Sequence, residues 1–492
     1  MDAESDSNER ESSPKRAKVT PSKRDINDDV TCPSVDDELN HEADPLLRNG
    51  SYKHLTTRTN EETLDRRKKF IGVNCPIFFT QHPLKIVRSY KQYMYEVDGT
   101  FYLDCINNVA HVGHCHPDIV KAGQQQMATQ STNLRYLHDA MMDYAEQLIS
   151  TFPGDKMKKV FFVNSGTEAN ELALWLARVH TKKQGVVSVR GGYHGHSKLI
   201  VDISSYKHEA CGGDGPGDFC NVVDCPDVYY GRYRDPDTAG ELYAGLVKDA
   251  IKQLERSGQG VCAFIMESIM SCGGQIVPPS GYLKHVYRHI RDAGGLCIAD
   301  EVQVGFGRVG KHFWSFEAHD VFPDIVTLGK PMGNGHPVSC VVTTEEVARS
   351  FANSKIRYFN TFGGNPVSCT IAKAVLDTVI KERLQENAQN VGSYLVDRLK
   401  SLQTECPIIG DVRGMGLMIG IELVKDRETR AAASDEAKAA VAWMKEHQVL
   451  LSVDGLRENV IKIKPPMCFT RKNADTVVDL LRTHFTEMSR KR

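Results

Sequence analysis

The segment Asn164-Ser165-Gly166-Thr167-Glu168-Ala169-Asn170 follows a short apolar run, Val160-Phe161-Phe162-Val163, and opens a helical pattern. Ser165 and Thr167 offer hydroxyls, and Gly166 lets backbone N–H groups approach an anion. A helix N-terminus adds its dipole. That chemistry suits one phosphate monoester. The same residues also make an ordinary N-cap, since Ser ahead of a Glu-bearing first turn is how many helices start. The GxGxxG glycines of a dinucleotide fingerprint are missing. Asp300 ends the apolar run 296–299. A carboxylate there points into the crevice where open sheets bind ligands. It can hold a protonated ring nitrogen, or simply serve a tight turn. Lys330 stands just past the run 325–328, ahead of Pro331, Met332 and Gly333. A lysine amine held at a strand end can form an imine with an aldehyde, although most lysines are solvated surface residues.

Tyr193-His194-Gly195-His196 follows the run 186–189, and an aromatic there can stack on a pyridine ring. A phosphate cradle, an aromatic, an acidic residue and a lysine, each at a strand end and in that order, make a pyridoxal phosphate constellation. Thr361-Phe362-Gly363-Gly364-Asn365-Pro366 is a polar glycine loop whose first hydroxyl can reach a phosphate, including one in a neighbouring subunit. The histidines His194, His196, His111, His114 and His116 lack zinc-ligand spacing backed by a thiolate pair, so no metal is expected. His194 is read as a packing or proton-relay residue behind the cofactor, and His114 to Pro117 as a helix-entry turn.

Strands and helices must hold these groups. Expected strands are 160–163, 186–189, 262–266, 296–299, 325–328 and 339–342, with helices at 118–130, 139–150, 168–179 and 371–400. Short continuous apolar strands between helices mean a mostly parallel sheet covered on both faces. Strands at 86–97 and 101–104 should form a hairpin about Asp98-Gly99. The segments 418–423, 434–448 and 459–463 read as a smaller α+β domain. Residues 1–60 are polar, with Tyr52 their lone aromatic, and read as a disordered tail. The tail carries a nuclear-import-like patch at 14–18 and 23–24 and a sorting-like stretch at 42–47. A helix from Glu61 to Phe70 starts the body.

Composition bounds the function. The 492 residues carry 61 Lys plus Arg against 63 Asp plus Glu, a formal charge of −2. That excludes broad nucleic-acid backbone binding, which needs a basic surface. No apolar run is long enough for a membrane span. Scattered cysteines without CxxC pairs point to reduced thiols, and the acidic start is unlike a mitochondrial transit peptide. A cytoplasmic enzyme is expected.

With these motifs the body, roughly 65–490, resembles the class-III aminotransferase family of fold-type-I pyridoxal phosphate enzymes. The resemblance implies a mostly parallel seven-stranded sheet covered by helices, with a smaller α+β domain from the N- and C-terminal parts. It divides the body into 61–110, a large cofactor-binding domain at 111–370 and a small domain at 371–492. It also implies that Lys330 carries the cofactor, Asp300 faces the pyridine nitrogen and Gln303 contacts the 3′-oxygen. Ser165, Gly166 and Thr167 would cradle the phosphate, Tyr193 would stack, and Thr361 would reach across a homodimer.

The stretches 104–117, 300–316 and 465–469 resemble a phospho-lyase branch of that family, acting on phosphoethanolamine or 5-phosphohydroxy-L-lysine. Residues 271–275, 331–334 and 462–464 favour the phosphoethanolamine side. Class-III transaminases usually carry, before the last Pro-Pro, an arginine that grips a carboxylate and pairs with a glutamate. Here the position is Lys462, with Glu267 as the glutamate. Lysine gives a point charge where arginine gives a planar two-toothed grip. That favours elimination from an amine substrate over transamination with an oxo-acid. Arg135 is the candidate for the substrate phosphate, with a surface or interdomain ion pair as its plain alternative. Glu267 and Lys462 forming a structural ion pair is likewise the plain alternative for that pair.

Overall fold

The computed structural model describes residues 46–210 and 214–490. The basic patches at 14–18 and 23–24 lie outside the described residues, as does most of the sorting-like stretch. Of Met1–Gly50 only a turn is described, with Asn49 and Gly50 in the left-handed region. Ser51–Arg492 gathers into one unit.

That unit is built on seven strands in the order Met157–Val163, Ser339–Thr344, Ile325–Leu328, Leu296–Asp300, Val261–Glu267, Gly185–Val189 and Cys220–Val223. All are parallel except Ser339–Thr344, which runs antiparallel to both neighbours. Val261–Glu267 is buried along its whole length. Its side chains alternate between two cores, as a strand covered on both faces must. Phe264 and Met266 pack with the helices Pro236–Arg256 and Tyr282–Asp292. Ala263 and Ile265 pack with the helix Gly166–Thr181. A third core joins Ala299, Val326 and Leu328 to the helices Asp139–Ser150 and Pro366–Lys381.

Two smaller sheets complete the unit. Ile409–Met415, Met418–Leu423, Val460–Ile463 and Ser452–Asp454 form an antiparallel sheet. Arg88–Tyr90, Tyr93–Tyr95 and Phe101–Asp104 make a meander, and Val449–Leu450 joins it in parallel. The N- and C-terminal parts of the chain thus meet in one sheet. No described helix is long and apolar enough to cross a membrane.

Several expectations need correcting. The strand expected over 86–97 breaks at Lys91, whose φ of +51° reverses the chain. The turn at Gly99, with φ +93°, is where the hairpin was expected. The helix expected over 371–400 is two, Pro366–Lys381 and Leu384–Glu405, separated at Arg383 with φ +53°. The polar tail also stops short of residue 60. Tyr52 is fully buried, its N–H donates to Val97 O at 2.8 Å, and its ring meets Tyr95 edge-on at 5.5 Å. Thr59 then caps the helix Asn60–Phe70 through a complete capping box with Glu62.

Candidate active site

The C-terminal ends of the parallel strands and the start of the antiparallel one share an edge of the sheet, and a cavity of about 300 Å³ opens there. Ser165, Gly166, Thr167, Tyr193, His194, Asp300, Gln303 and Lys330 all line it, with Asn170, Val302 and Ser339 beside them. The size lies at the small end for cofactor sites. Sequence reasoning placed eight of these eleven residues in the site.

Ser165 caps the helix Gly166–Thr181, its hydroxyl accepting from Glu168 N at 3.2 Å. The capping and the anion-site readings therefore describe the same residues, because the cap is what points the first helical N–H groups into the cavity. Position 166 has to be glycine: a Cβ there would stand 2.8 Å from Val302 Cγ1. Thr167 Oγ1 accepts from His196 N at 3.2 Å, tying the helix start to the loop that carries Tyr193.

Asp300 is buried and closely held. Its Oδ2 accepts from His194 Nδ1 at 2.8 Å and Asn170 Nδ2 at 2.9 Å, and its Oδ1 accepts from Val302 N at 3.1 Å. Asn170 also donates to His194 O at 2.7 Å, which closes the triangle. Among the described residues His194 Nε2 and Asn170 Oδ1 are buried without a hydrogen-bond partner. Lys330 begins a short 3-10 turn with φ +26°, a strained conformation for a residue with a side chain. Among the described residues its ammonium has no hydrogen-bond or ion-pair partner.

Gln303 is held from several sides, Asn108 Nδ2 donating to its Oε1 at 3.4 Å among them. Its amide donates to Ser271 Oγ, and its Oε1 accepts from Lys464 Nζ at 2.9 Å. Ser271 in turn donates to Glu267, from both its hydroxyl and its backbone N–H. Burial, then the nearby Asp300, raise Glu267 to about 7. Burial pulls Lys464 well below the usual lysine range, with Lys462 and Lys330 adding to the shift and the Cys272 and Asp454 charges opposing it.

The expected pairing of Glu267 with Lys462 is not formed. Lys462 pairs instead with Asp454, and Glu267 spends its oxygens on Ser271 and on Tyr193 N at 3.4 Å. Strand register explains this. Ser452–Asp454 runs antiparallel beside Val460–Ile463, placing Lys462 opposite Ser452 and within reach of Asp454. Neither Arg135 nor Thr361 lines the cavity of this single chain. The Arg135 guanidinium lies 4.6 Å over the Phe359 ring on an exposed stretch, without a carboxylate partner among the described residues. Thr361 is exposed beside Phe362, which is 68% exposed. The histidines expected to be structural have ordinary partners: His111 with Phe306 O at 2.8 Å, His114 with Asp104 at 2.8 Å and His116 with Glu382 at 2.9 Å.

Asn170, Lys464 and Asp454 were missed. Asn170 sits on the buried stripe Ala169–Leu172–Ala173, and a polar residue on such a stripe was the available signal. Lys464 continues the alternation of Lys462 on an otherwise apolar strand.

These residues suit pyridoxal 5′-phosphate. A cradle of first-turn N–H groups and hydroxyls matches its phosphate, Asp300 its ring nitrogen, and the unpaired Lys330 amine its aldehyde. The orphaned imidazole nitrogen shows a polar wall with bonds still to make.

The sequence matches the family described as Aminotransferase class-III over residues 79–485. A Drosophila melanogaster protein named alanine–glyoxylate aminotransferase 2-like is 53% identical, covering 84% of this chain and 85% of its own. A Caenorhabditis elegans protein named ethanolamine-phosphate phospho-lyase homolog 1 is 43% identical, covering 88% and 95%. A solved phospholyase from Arthrobacter in complex with phosphoethanolamine superposes with a TM-score of 0.82 at 38% identity, covering 86% of this chain and 99% of that one. With the family's match spanning most of the described body, and the cradle, aspartate and lysine gathered in one cavity, the chain belongs to the class-III aminotransferase family of pyridoxal 5′-phosphate enzymes.

Proposed function

We propose that the protein is a phospho-lyase that converts phosphoethanolamine and water into acetaldehyde, ammonia and inorganic phosphate. The observation that carries this reading is the state of Lys462: its charge is met inside the protein by Asp454, so it is not held open for the carboxylate of an oxo-acid. The worm relative's name and the ligand of the Arthrobacter structure support the same substrate class.

When bound, pyridoxal phosphate supplies an aldehyde for the substrate amine and an electron sink for the adjacent carbon. The chain's own residues do the rest. Asp300, fixed by His194 and Asn170, would keep a proton on the ring nitrogen. Tyr193 would cover the ring face, and Gln303 is fixed by Ser271 and Lys464. Lys330 Nζ would act as the base that takes the proton from the substrate carbon that bears nitrogen. With phosphate on the next carbon, the C–O bond would break, phosphate would leave with its electrons, and the unsaturated two-carbon amine left behind would take up water to give acetaldehyde and ammonia. Arg135 is the candidate grip for that phosphate.

We further propose a cytoplasmic homodimer. Among the described residues every cysteine is free, which fits a reducing compartment. Leu137 is fully exposed and Tyr136, Phe359 and Phe362 are substantially so, around Arg135 and Thr361. A second subunit laid on this apolar face brings both residues to a site.

The 5-phosphohydroxy-L-lysine phospho-lyase activity uses the same chemistry and stays a second reading. A transaminase is a third, favoured by the name of the fly relative. Phosphate and ammonia release from phosphoethanolamine, with and without oxoglutarate, tests the proposal. Stoichiometric release of both without oxo-acid is expected. Turnover that requires oxoglutarate and yields glutamate without phosphate would overturn it in favour of the transaminase.

A further inference from the structure

Lys462 and Lys464 lie two residues apart, so they share a face at the end of the strand Val460–Ile463. Lys464 Nζ reaches Gln303, which lines the cavity, so this face is turned toward the active site. Both lysines are buried. A buried ammonium near a ligand cavity attracts any anion that enters, because its desolvation is otherwise uncompensated. Lys462 is prevented from doing so. Asp454, itself buried, binds it through Oδ2. The other oxygen, Oδ1, accepts from Tyr206 OH at 3.1 Å, so the carboxylate cannot rotate away without losing a second bond. Tyr206 also meets the Tyr193 ring edge-on at 6.2 Å, which ties the orientation of this carboxylate to the cofactor-facing loop.

A carboxylate bonded to a lysine just behind the Gln303 wall of the cavity does what a ligand carboxylate reaching that lysine would do. We propose that Asp454 is a specificity-determining residue: a built-in carboxylate, oriented by Tyr206, that occupies the Lys462 ammonium and so turns away ligands that would bind through a carboxylate of their own. The inference rests on the lyase reading for its biological sense, since an amine substrate without a carboxylate loses nothing by this arrangement. Tyr206 is the positioning residue, acting through Asp454. The ligand class affected is that of amino acids and oxo-acids.

The test uses the holoenzyme and glutarate, a dicarboxylate with neither amine nor ketone, followed by titration calorimetry. Asp454→Asn leaves the Lys462 charge unmatched, and glutarate is expected to bind about tenfold or more tighter than to the wild type. Oxoglutarate-dependent amino transfer should rise with it. Adding Lys462→Met to Asp454→Asn should remove the gain. An Asp454→Asn protein that keeps its cofactor absorbance and melting temperature, yet binds glutarate within about twofold of the wild type, overturns the proposal. If that variant does not fold, Tyr206→Phe decides. It keeps the ion pair but frees the carboxylate to turn, and a gain of a few-fold in glutarate affinity is expected. No gain in Tyr206→Phe overturns the proposal equally. Phosphoethanolamine turnover by the wild type is scored separately. A wild type that demands an oxo-acid refutes the lyase reading, whereas the glutarate titration alone decides Asp454.

Discussion

His194 Nδ1 stands 2.8 Å from Asp300 Oδ2, with both side chains buried. The carboxylate accepts, so the imidazole donates to it from Nδ1. Asp300→Asn keeps the shape but loses the charge that holds a proton on the ring. The rate is expected to fall by about 10²–10⁴-fold. Asn170→Ala removes one of the donors to Asp300 and should cost about ten- to a hundredfold, the equivalent of one hydrogen bond to a charged group. Equal rates for Asp300→Asn and wild type, measured at saturating cofactor, would contradict the role given to Asp300.

Among the described residues the Lys330 amine, which lines the cavity, has no hydrogen-bond or ion-pair partner. Borohydride treatment of the holoenzyme followed by peptide mass analysis should place the cofactor on Lys330. Lys330→Ala should lose the visible absorbance of the bound cofactor. A label on another lysine would refute the placement.

Tyr52 is the measure of where the body begins. Tyr52→Ala empties a fully buried site against Tyr95 and should cost about 3 kcal/mol, read by chemical denaturation. Deleting residues 1–60 should cost at least as much, while deleting 1–45 leaves Tyr52 in place. A truncation at 60 with unchanged stability would show that Tyr52 contributes nothing.

Burial raises Glu301 to about 7, against the hydrogen bonds it accepts from Ser268 Oγ and the N–H groups of Ser315 and Phe316. In the unfolded chain the group titrates at about 4.3. Between those values the folded protein holds a proton that the unfolded chain has released. The stabilisation is therefore full below about pH 4 and is lost as pH rises toward about 7, by on the order of 3–4 kcal/mol. Melting temperature should fall over that range, and Glu301→Gln should flatten the fall. Identical pH profiles for the two proteins would count against this.

Sedimentation should show a dimer at micromolar concentration, and Phe362→Asp should weaken it by placing a charge on the exposed apolar face. An active monomer would refute the shared site.

Much of this was legible in the chain, for physical reasons. A central strand covered on both faces reads as an unbroken apolar run, and the residue that ends it is where the backbone leaves the core. Asp300 and Lys330 were visible on that account. Asn170 was not, because a helix interior gives no punctuation and its value comes from a partner 130 residues away. The Lys462 partner was misread for a similar reason. Like-with-unlike charge reasoning found Glu267, but only the register of Ser452–Asp454 against Val460–Ile463 shows that Asp454 is nearer. The strand Cys220–Val223 was overlooked because it is a half-buried edge strand, where the apolar signal is weakest.

The antiparallel strand Ser339–Thr344 sets an order of assembly. Met157–Val163, which leads into the phosphate cradle, lies at the rim of the sheet, and among the described residues Ser339–Thr344 is its one ladder neighbour. On a growing chain that neighbour is made last of the seven strands. Until it emerges from the ribosome, Met157–Val163 has no ladder to join, and the cradle stands apart from the strand ends that carry Asp300 and Lys330. Cofactor capture thus waits for the last strand of this sheet to be made, with residues 345–492 still to follow. A nascent chain halted before Ser339 should fail to retain pyridoxal phosphate, whereas one released after Thr344 has every strand that the cavity needs.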